Sequence, residues 1–299
     1  MSSATNVAIS PVNVKWQIEA SEQWDFKNAT ASGLGGQYVT MNTIVPTAFY
    51  AWFDENNTDV DPAPAGKTAI EVNYAAGASP SAIATAFQLA VDGTAGFAAS
   101  VVGTVVTVRR TAVGKPVAPT VGTTTTVALT ICRTGKDFDL GLLQGDIEAA
   151  FSPSNFTVVA HQTGVSPRAA LFQGFETNEA TTTMLETQKS QLEEIYGLYG
   201  GSFTPGGGTK VFGVGTSKQG QNLLVDAARL VLRPVNAVSN VDDYNIMLAI
   251  PIPDSLVFSG ENPRTLSITW QGFLDDQADS RVSALLIGDA AQSGVHTPS

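Results

Sequence analysis

Hydrophobic and polar positions alternate along much of this chain, and the most informative run lies between Phe138 and Gly197. Phe138, Leu140 and Leu142 alternate with other residues as far as Gln144-Gly145-Asp146, which reads as a turn. Ile147, Ala149 and Phe151 alternate beyond it, the period of a strand with one buried face. Pro153 marks a second turn, after which Phe156, Val158 and Ala160 line one face of another short strand. Met184, Leu185, Leu192, Ile195 and Tyr196 then fall at helical spacing, with Gln188 interrupting the stripe. A helix is predicted over 184–196, and Gly197 stops it.

The rest of the chain divides by the same logic. Val12, Val14 and Trp16 alternate with Asn13, Lys15 and Gln17, a half-buried first strand. The segment ATASGLGG at 29–36 reads as a flexible joint. Residues 38–53 are extended and aromatic around FYAWF at 49–53, residues 54–66 form a polar loop, and 68–74 alternate again. Ser79 and Pro80 suit the N-cap and first position of a helix. Ile83, Ala86, Phe87, Ala90 and Val91 give that helix one apolar stripe, and Gly93 ends it. Two strands follow in 97–109 around a Val102-Gly103-Thr104 turn. The order is β-β-α-β-β, enough for a domain of about 80 residues.

The Pro- and Thr-rich stretch 115–127 reads as a low-complexity link back to the main domain. Residues 198–215 are glycine-rich, with Gly206 to Gly208 at a loop tip. Residues 223–232 fit a helix by pattern, stopped by Arg233-Pro234. Strands are predicted over 246–251, 264–273 and in ALLIGD, and 290–299 reads as a loose tail.

Composition narrows the function. Hydrophobic residues make up 43% of the 299 and charged residues only 14%, against roughly 25% charged in an ordinary soluble domain. Such a shortage fits surface covered by other subunits, and Thr- and Ser-rich extracellular domains give the same statistic. The net charge of −11 argues against a nucleic-acid binder, because phosphate contacts need Lys and Arg, but not against a surface that DNA must slide past. Residues 135–299 hold 18 acidic and 9 basic groups, so most of the imbalance lies there. No apolar run approaches the roughly 20 residues a membrane span needs. The N-terminus lacks a basic-then-apolar export signal, and assembly inside a producing cell is the expectation.

Candidate chemistry is sparse. The histidines are His161 and His296, the single thiol is Cys132 in ALTIC, and no G-x-S-x-G turn occurs. A nucleophilic triad would have to use His161. Asp54, Asn56, Thr58, Asp59 and Asp61 share a loop and offer the oxygen ligands calcium prefers. The loop lacks the Gly and Glu of an EF-hand, with Asp59 and Ala65 in those positions. Asp137 and Asp139 flank a strand. The clusters Gly206–Gly208 and Gly213-Val214-Gly215 match no phosphate or dinucleotide loop. Glu193-Glu194 and Asp275-Asp276 read as solvated pairs. No catalytic, cofactor-binding or metal residue is assigned, and the chain is expected not to be an enzyme.

Several segments together resemble the tail tube proteins of tailed bacteriophages: DLGLLQGDIEAAF, the strand-then-helix segment 169–197, RLVLRP and SITWQGF. The resemblance implies a mainly β (α+β) fold, a sandwich or barrel-like sheet with one flanking helix, and it favours a strand in 223–232. Its domain would comprise 1–35 and 128–299. The interruption, 36–127, resembles a small module inserted in phage virion proteins through FYAWFDENNTDVDPAPAGKTAIEV, ASPSAIATAFQLAVDG and FAASVVGTVVTV. The insert is expected on the outer surface. The family implies homohexameric rings stacked into a tube for DNA passage, and a virion location after assembly in the host cytoplasm. Partners would be further copies of the chain and other tail proteins: a terminator, a baseplate and, in a contractile tail, a sheath. An acidic lumen would repel phosphates, so tube-domain carboxylates are expected to line it. Two other classes fit: a tail terminator, baseplate hub or head decoration of the same fold, and a carbohydrate binder using FYAWF.

Overall fold

The computed structural model describes residues 12–45, 47–159, 167–185, 188–203, 211–214, 219–235, 237, 239–258, 264–273 and 285–288. The chain is mainly β with α+β character. It divides into a central unit, Gln17–Asp137, and a flanking unit of Met1–Trp16 with Phe138–Ser299. The central unit thus starts before the expected insert at 36–127 and ends after it. Strand β1 (Val12–Asp25) is the reason: Ser21–Asp25 pair antiparallel with β6 (Val105–Val113) on one edge and β7 (Ala128–Arg133) on the other. Trp24 and Phe26 then enter the central core. The expected flexible joint is also packed. Ala31–Leu34 form a short helix, α1, with Ala31 and Leu34 buried.

Residues 38–53 form two strands instead of one extended segment. β2 (Tyr38–Asn42) and β3 (Ala48–Glu55) pair antiparallel through a turn in which Thr43 N donates to Thr47 O. β4 (Thr68–Tyr74) then pairs parallel to β3. Parallel neighbours need a crossover, and the polar loop supplies it. The order around the helix is therefore β-β-β-α-β-β, one strand more than expected.

Helix α2 (Pro80–Asp92) begins as predicted. Ser79 Oγ accepts from Ala82 N at 3.3 Å, and Pro80 occupies the first helical position. Ile83, Ala84, Phe87 and Val91 are its buried face. Phe87 lies 5.1 Å from Phe26, 6.0 Å from Trp24 and 6.1 Å from Phe53, ring centre to ring centre. Burying such a ring contributes about 1.5–3 kcal/mol. β5 (Phe97–Val102) returns antiparallel to β6 over Gly103, whose φ of +63° suits glycine.

The stretch 115–127 is a packed strap, not a link. Thr120 exchanges backbone hydrogen bonds with Thr40, and Thr123 does so with Tyr38 through its own N–H and hydroxyl. Thr124 and Val127 are buried.

The division falls within β8 (Lys136–Asp139), and the flanking unit contains β9 (Glu148–Val159), β10 (Pro167–Met184), α3 (Lys189–Tyr196), β11 (Gly200–Phe203), β12 (Val211–Val214), β13 (Ala228–Pro234), β14 (Tyr244–Val257), β15 (Thr265–Phe273) and β16 (Leu285–Ile287). The order β13-β14-β15-β10-β9 is antiparallel throughout, and β16 pairs with β14. Trp16 joins this unit because its indole N–H reaches both Ala228 O, at 3.1 Å, and Ala249 O, at 3.0 Å. Its ring lies 5.5 Å from Trp270, whose own N–H donates to Thr182 Oγ1 at 2.8 Å.

Several local expectations change here. Pro153 makes no turn: β9 runs through it, with register shifts in the facing strand. β9 is the outermost strand, where a missing N–H is tolerated. The alternation at Phe138 and Leu140 buries both residues, but Leu142 is 64% exposed. Met184 closes β10, so the helix starts at Lys189 and not at 184. Gly197 follows it in ordinary right-handed geometry; a Cβ there would stand 2.5 Å from Glu193 O. Residues 223–232 divide into a 3-10 turn, Leu223–Val225, and strand β13. The glycine tip at 206–208 and the tail at 290–299 lie outside the described residues.

Candidate functional site

Residues opposite each other in a sheet share a face, so the strand registers assign two faces to β9, β10 and β15. Ala180, Thr182 and Met184 face Trp270, Ile268 and Leu266, all buried. The other face carries Glu179, Thr181 and Thr183 beside Gln271, Thr269 and Ser267. Glu148 continues that row from Thr181, and Ala150 from Glu179. This second face is partly or fully exposed. Its side chains are hydroxyls, one amide, two carboxylates and one methyl group. No Lys or Arg lies among these eight residues.

Beyond this patch the sheet narrows. β10 pairs with β15 only over Glu179–Met184, but with β9 over Pro167–Thr181. Over Pro167–Thr177, among the described residues, the strand paired with β10 is β9. A two-stranded ribbon is marginal in water by itself. A strand edge without a partner strand favours addition of another strand.

The other sequence candidates find ordinary roles. Asp54 Oδ1 accepts from Asp59 N at 3.0 Å, and Asp59 Oδ2 accepts from Glu55 N at 2.7 Å. Asp61 takes the Tyr50 hydroxyl at 2.8 Å and Ala63 N at 2.8 Å. Asn56 is left-handed, with φ of 59°, a conformation asparagine tolerates. These carboxylates hold the β3–β4 crossover. Among the described residues, no group of His, Cys, Asp and Glu is arranged to hold a metal. Cys132 is buried, Asp139 accepts from Gly141 N, and Glu193 and Glu194 sit on α3. His161, His296, Gly215 and Asp275-Asp276 lie outside the described residues. Within FYAWF, Tyr50, Ala51, Trp52 and Phe53 are buried.

The central unit holds a buried ion pair between Arg110 and Glu22. Arg110 Nη1 donates to both oxygens of Glu22 at 2.7–2.8 Å, its Nε donates to Asn42 O at 2.6 Å, and its guanidinium lies 5.0 Å from the Phe97 ring centre. Burial pushes the Glu22 carboxyl above its usual range, opposed by the charge and hydrogen bonds of Arg110. A hollow of about 140 Å³ beside Glu22 is bounded by Pro116, Pro119, Ile131 and Arg133. It contains no histidine or thiol, and Glu22 is already engaged by Arg110.

No helix among the described residues is long and apolar enough to cross a membrane. No protein-family model and no curated protein sequence matches the chain.

The phase of Glu148 and Glu179 is a tertiary result. The alternation of Leu266, Ile268 and Trp270 predicts that Ser267, Thr269 and Gln271 turn the other way. Nothing local says that Glu179 stands beside Gln271, or Glu148 beside Thr181.

Proposed function

We propose that this chain is a structural subunit of a phage tail tube, forming stacked hexameric rings around a channel for DNA passage. One observation carries the reading: the exposed face of β9, β10 and β15 is polar, bears Glu148 and Glu179 and holds no cation among Thr181, Thr183, Ser267, Thr269 and Gln271. A duplex adheres through Lys and Arg at its phosphates. A hydroxyl-lined wall with scattered carboxylates stays hydrated and repels phosphate, as a conduit must. The flanking unit carries 17 acidic and 9 basic groups, and the central unit 10 and 7. The excess therefore belongs to the unit that would form the wall. Open sheet edges and a charge-poor composition also fit a subunit whose surface is completed by copies of itself. The chain then works as a building block, without cofactor or catalysis.

Negative-stain microscopy of the purified protein tests this, with rings or tubes around a central hole as the expected result. Strict monomers at high concentration would refute it. The channel lining is tested separately with Glu148→Lys/Glu179→Lys. The variant should still assemble, and its tubes should retain DNA fragments at low salt and release them as salt rises. Wild-type tubes should retain none.

The carbohydrate alternative is not taken up, because the aromatic segment it would use has four of its five residues in the interior.

A further inference from the structure

We propose that Tyr38, Tyr50 and Trp52 form a binding strip for an extended, proline-containing peptide, and that the chain's own Asp61-Pro62-Ala63-Pro64 segment occupies this strip as a displaceable cover. All of these residues lie in the central unit, so the proposal is independent of the tube reading.

The strip follows from strand register. Tyr38 stands opposite Trp52, and Thr40 opposite Tyr50. On the other side of β3, Tyr50 and Trp52 stand opposite Ala69 and Glu71. Opposed residues share a face, so the three aromatic residues lie on one side of the β2-β3-β4 sheet. The other side, with Val39, Met41, Ala51, Phe53, Ile70 and Val72, belongs to the central core, and Tyr50 and Trp52 do not. They are buried all the same, at 3% and 7% exposure. The rings of Tyr38 and Tyr50 meet edge-on, 5.9 Å from centre to centre.

The β3–β4 crossover supplies the cover. Asp61 takes the Tyr50 hydroxyl on both carboxylate oxygens, at 2.8 and 2.9 Å. Pro62 and Pro64 are half-buried, while Asp61, Ala63 and Ala65 are exposed. Both prolines therefore turn toward the protein. Extended proline-rich segments are recognised by aromatic grooves because their backbone is already ordered before binding. Trp52 adds a donor to such a groove. Trp16 and Trp270 give their indole N–H groups to carbonyl and hydroxyl oxygens, but among the described residues that of Trp52 has no acceptor. A peptide carbonyl is a suitable one.

Little else holds the cover down. Among the described residues, 60–66 makes no hydrogen bond outside itself except the one from Tyr50. Ala63 sits at φ of 42°, a left-handed conformation that a residue with a Cβ adopts at a cost. A separate peptide with an acceptor ahead of Pro-x-Pro can make the same contacts without that strain. The closed loop lowers its apparent affinity by the fraction of molecules in which the strip is covered.

The test uses fluorescein-labelled TDVDPAPAGK, the sequence of residues 58–67, titrated with the full chain and followed by anisotropy. Asp61→Ala frees the loop and leaves the strip intact, and it should bind the peptide at least about tenfold more tightly than wild type. Equal affinity would overturn the loop as competitor. The same peptide with both prolines replaced by alanine should lose binding to the same protein, and undiminished binding would overturn the proline class. This comparison holds for wild type at millimolar peptide too, so it needs no substitution. Trp52→Phe, added to Asp61→Ala, should weaken binding at least about tenfold. An unchanged affinity there would place the peptide away from the strip. If neither wild type nor Asp61→Ala binds saturably at millimolar peptide, the proposal fails.

Discussion

In the central unit, the outer edge of β5 is occupied by its own helix: Ala99 N donates to Asp92 Oδ1 at 2.8 Å, and Gln88 Nε2 donates to Ala99 O at 3.0 Å. The outer edge of β2 is occupied by the strap through Thr120 and Thr123. In the flanking unit, among the described residues, no strand pairs with the outer edge of β9, and over Pro167–Thr177 the strand paired with β10 is β9. A free strand edge is a template for another strand, and proteins that must remain alone cover it. The difference separates a unit that covers these edges within its own chain from one whose outer strand has no partner strand among the described residues.

The contrast can be broken most directly by hydrogen exchange on unassembled protein. Amides of the ribbon should exchange about a hundredfold faster than those of β6, which lies between β5 and β1. Equal protection would mean that the ribbon is self-sufficient, and the comparison would fail.

The central ion pair tests the other side of the comparison. Arg110→Met leaves the Glu22 carboxylate buried without its partner, and the central unit should lose about 3–5 kcal/mol in urea unfolding. Adding Glu22→Gln should recover part of that loss. A single substitution that costs nothing would show the pair to be dispensable.

Alkaline titration should also mark the central unit. The Tyr50 phenol is pushed up to about 12, first by burial and then by its hydrogen bond to Asp61 and the charge of that carboxylate. A folded-state value above the unfolded one means the stabilisation is complete below pH 10, and it is lost as pH rises through about 12. Tyr50→Phe should flatten that part of the stability profile, and an unaltered profile would remove Tyr50 from the account. The smallest effect expected is at the α2 cap, where Ser79→Ala should cost about 1 kcal/mol. A melting curve unchanged by Ser79→Ala would mean the cap is idle.

What was legible in the sequence was local. Ser79, Pro80 and Gly93 bound α2 because capping chemistry acts within a few residues. Leu266, Ile268 and Trp270 announce β15 because alternation is a property of one strand. Pro153 reads as a turn for an equally local reason, since proline cannot donate to a ladder. The structure keeps it in a strand because that strand is outermost. Met184 fits a helical stripe as well as a strand end, and its pairing with Leu266 decides for the strand.

The sequence alone therefore determined a mainly β chain with one capped helix in its inner part, little charge and an acidic second half. Tertiary structure decided which unit owns Val12–Trp16, that β3 and β4 run parallel, and that Glu148 and Glu179 share a polar face. The physical reason is the same in each case. Strand pairing joins residues far apart in the chain, and its register is fixed by the packing of both strands together, information that neither segment carries alone.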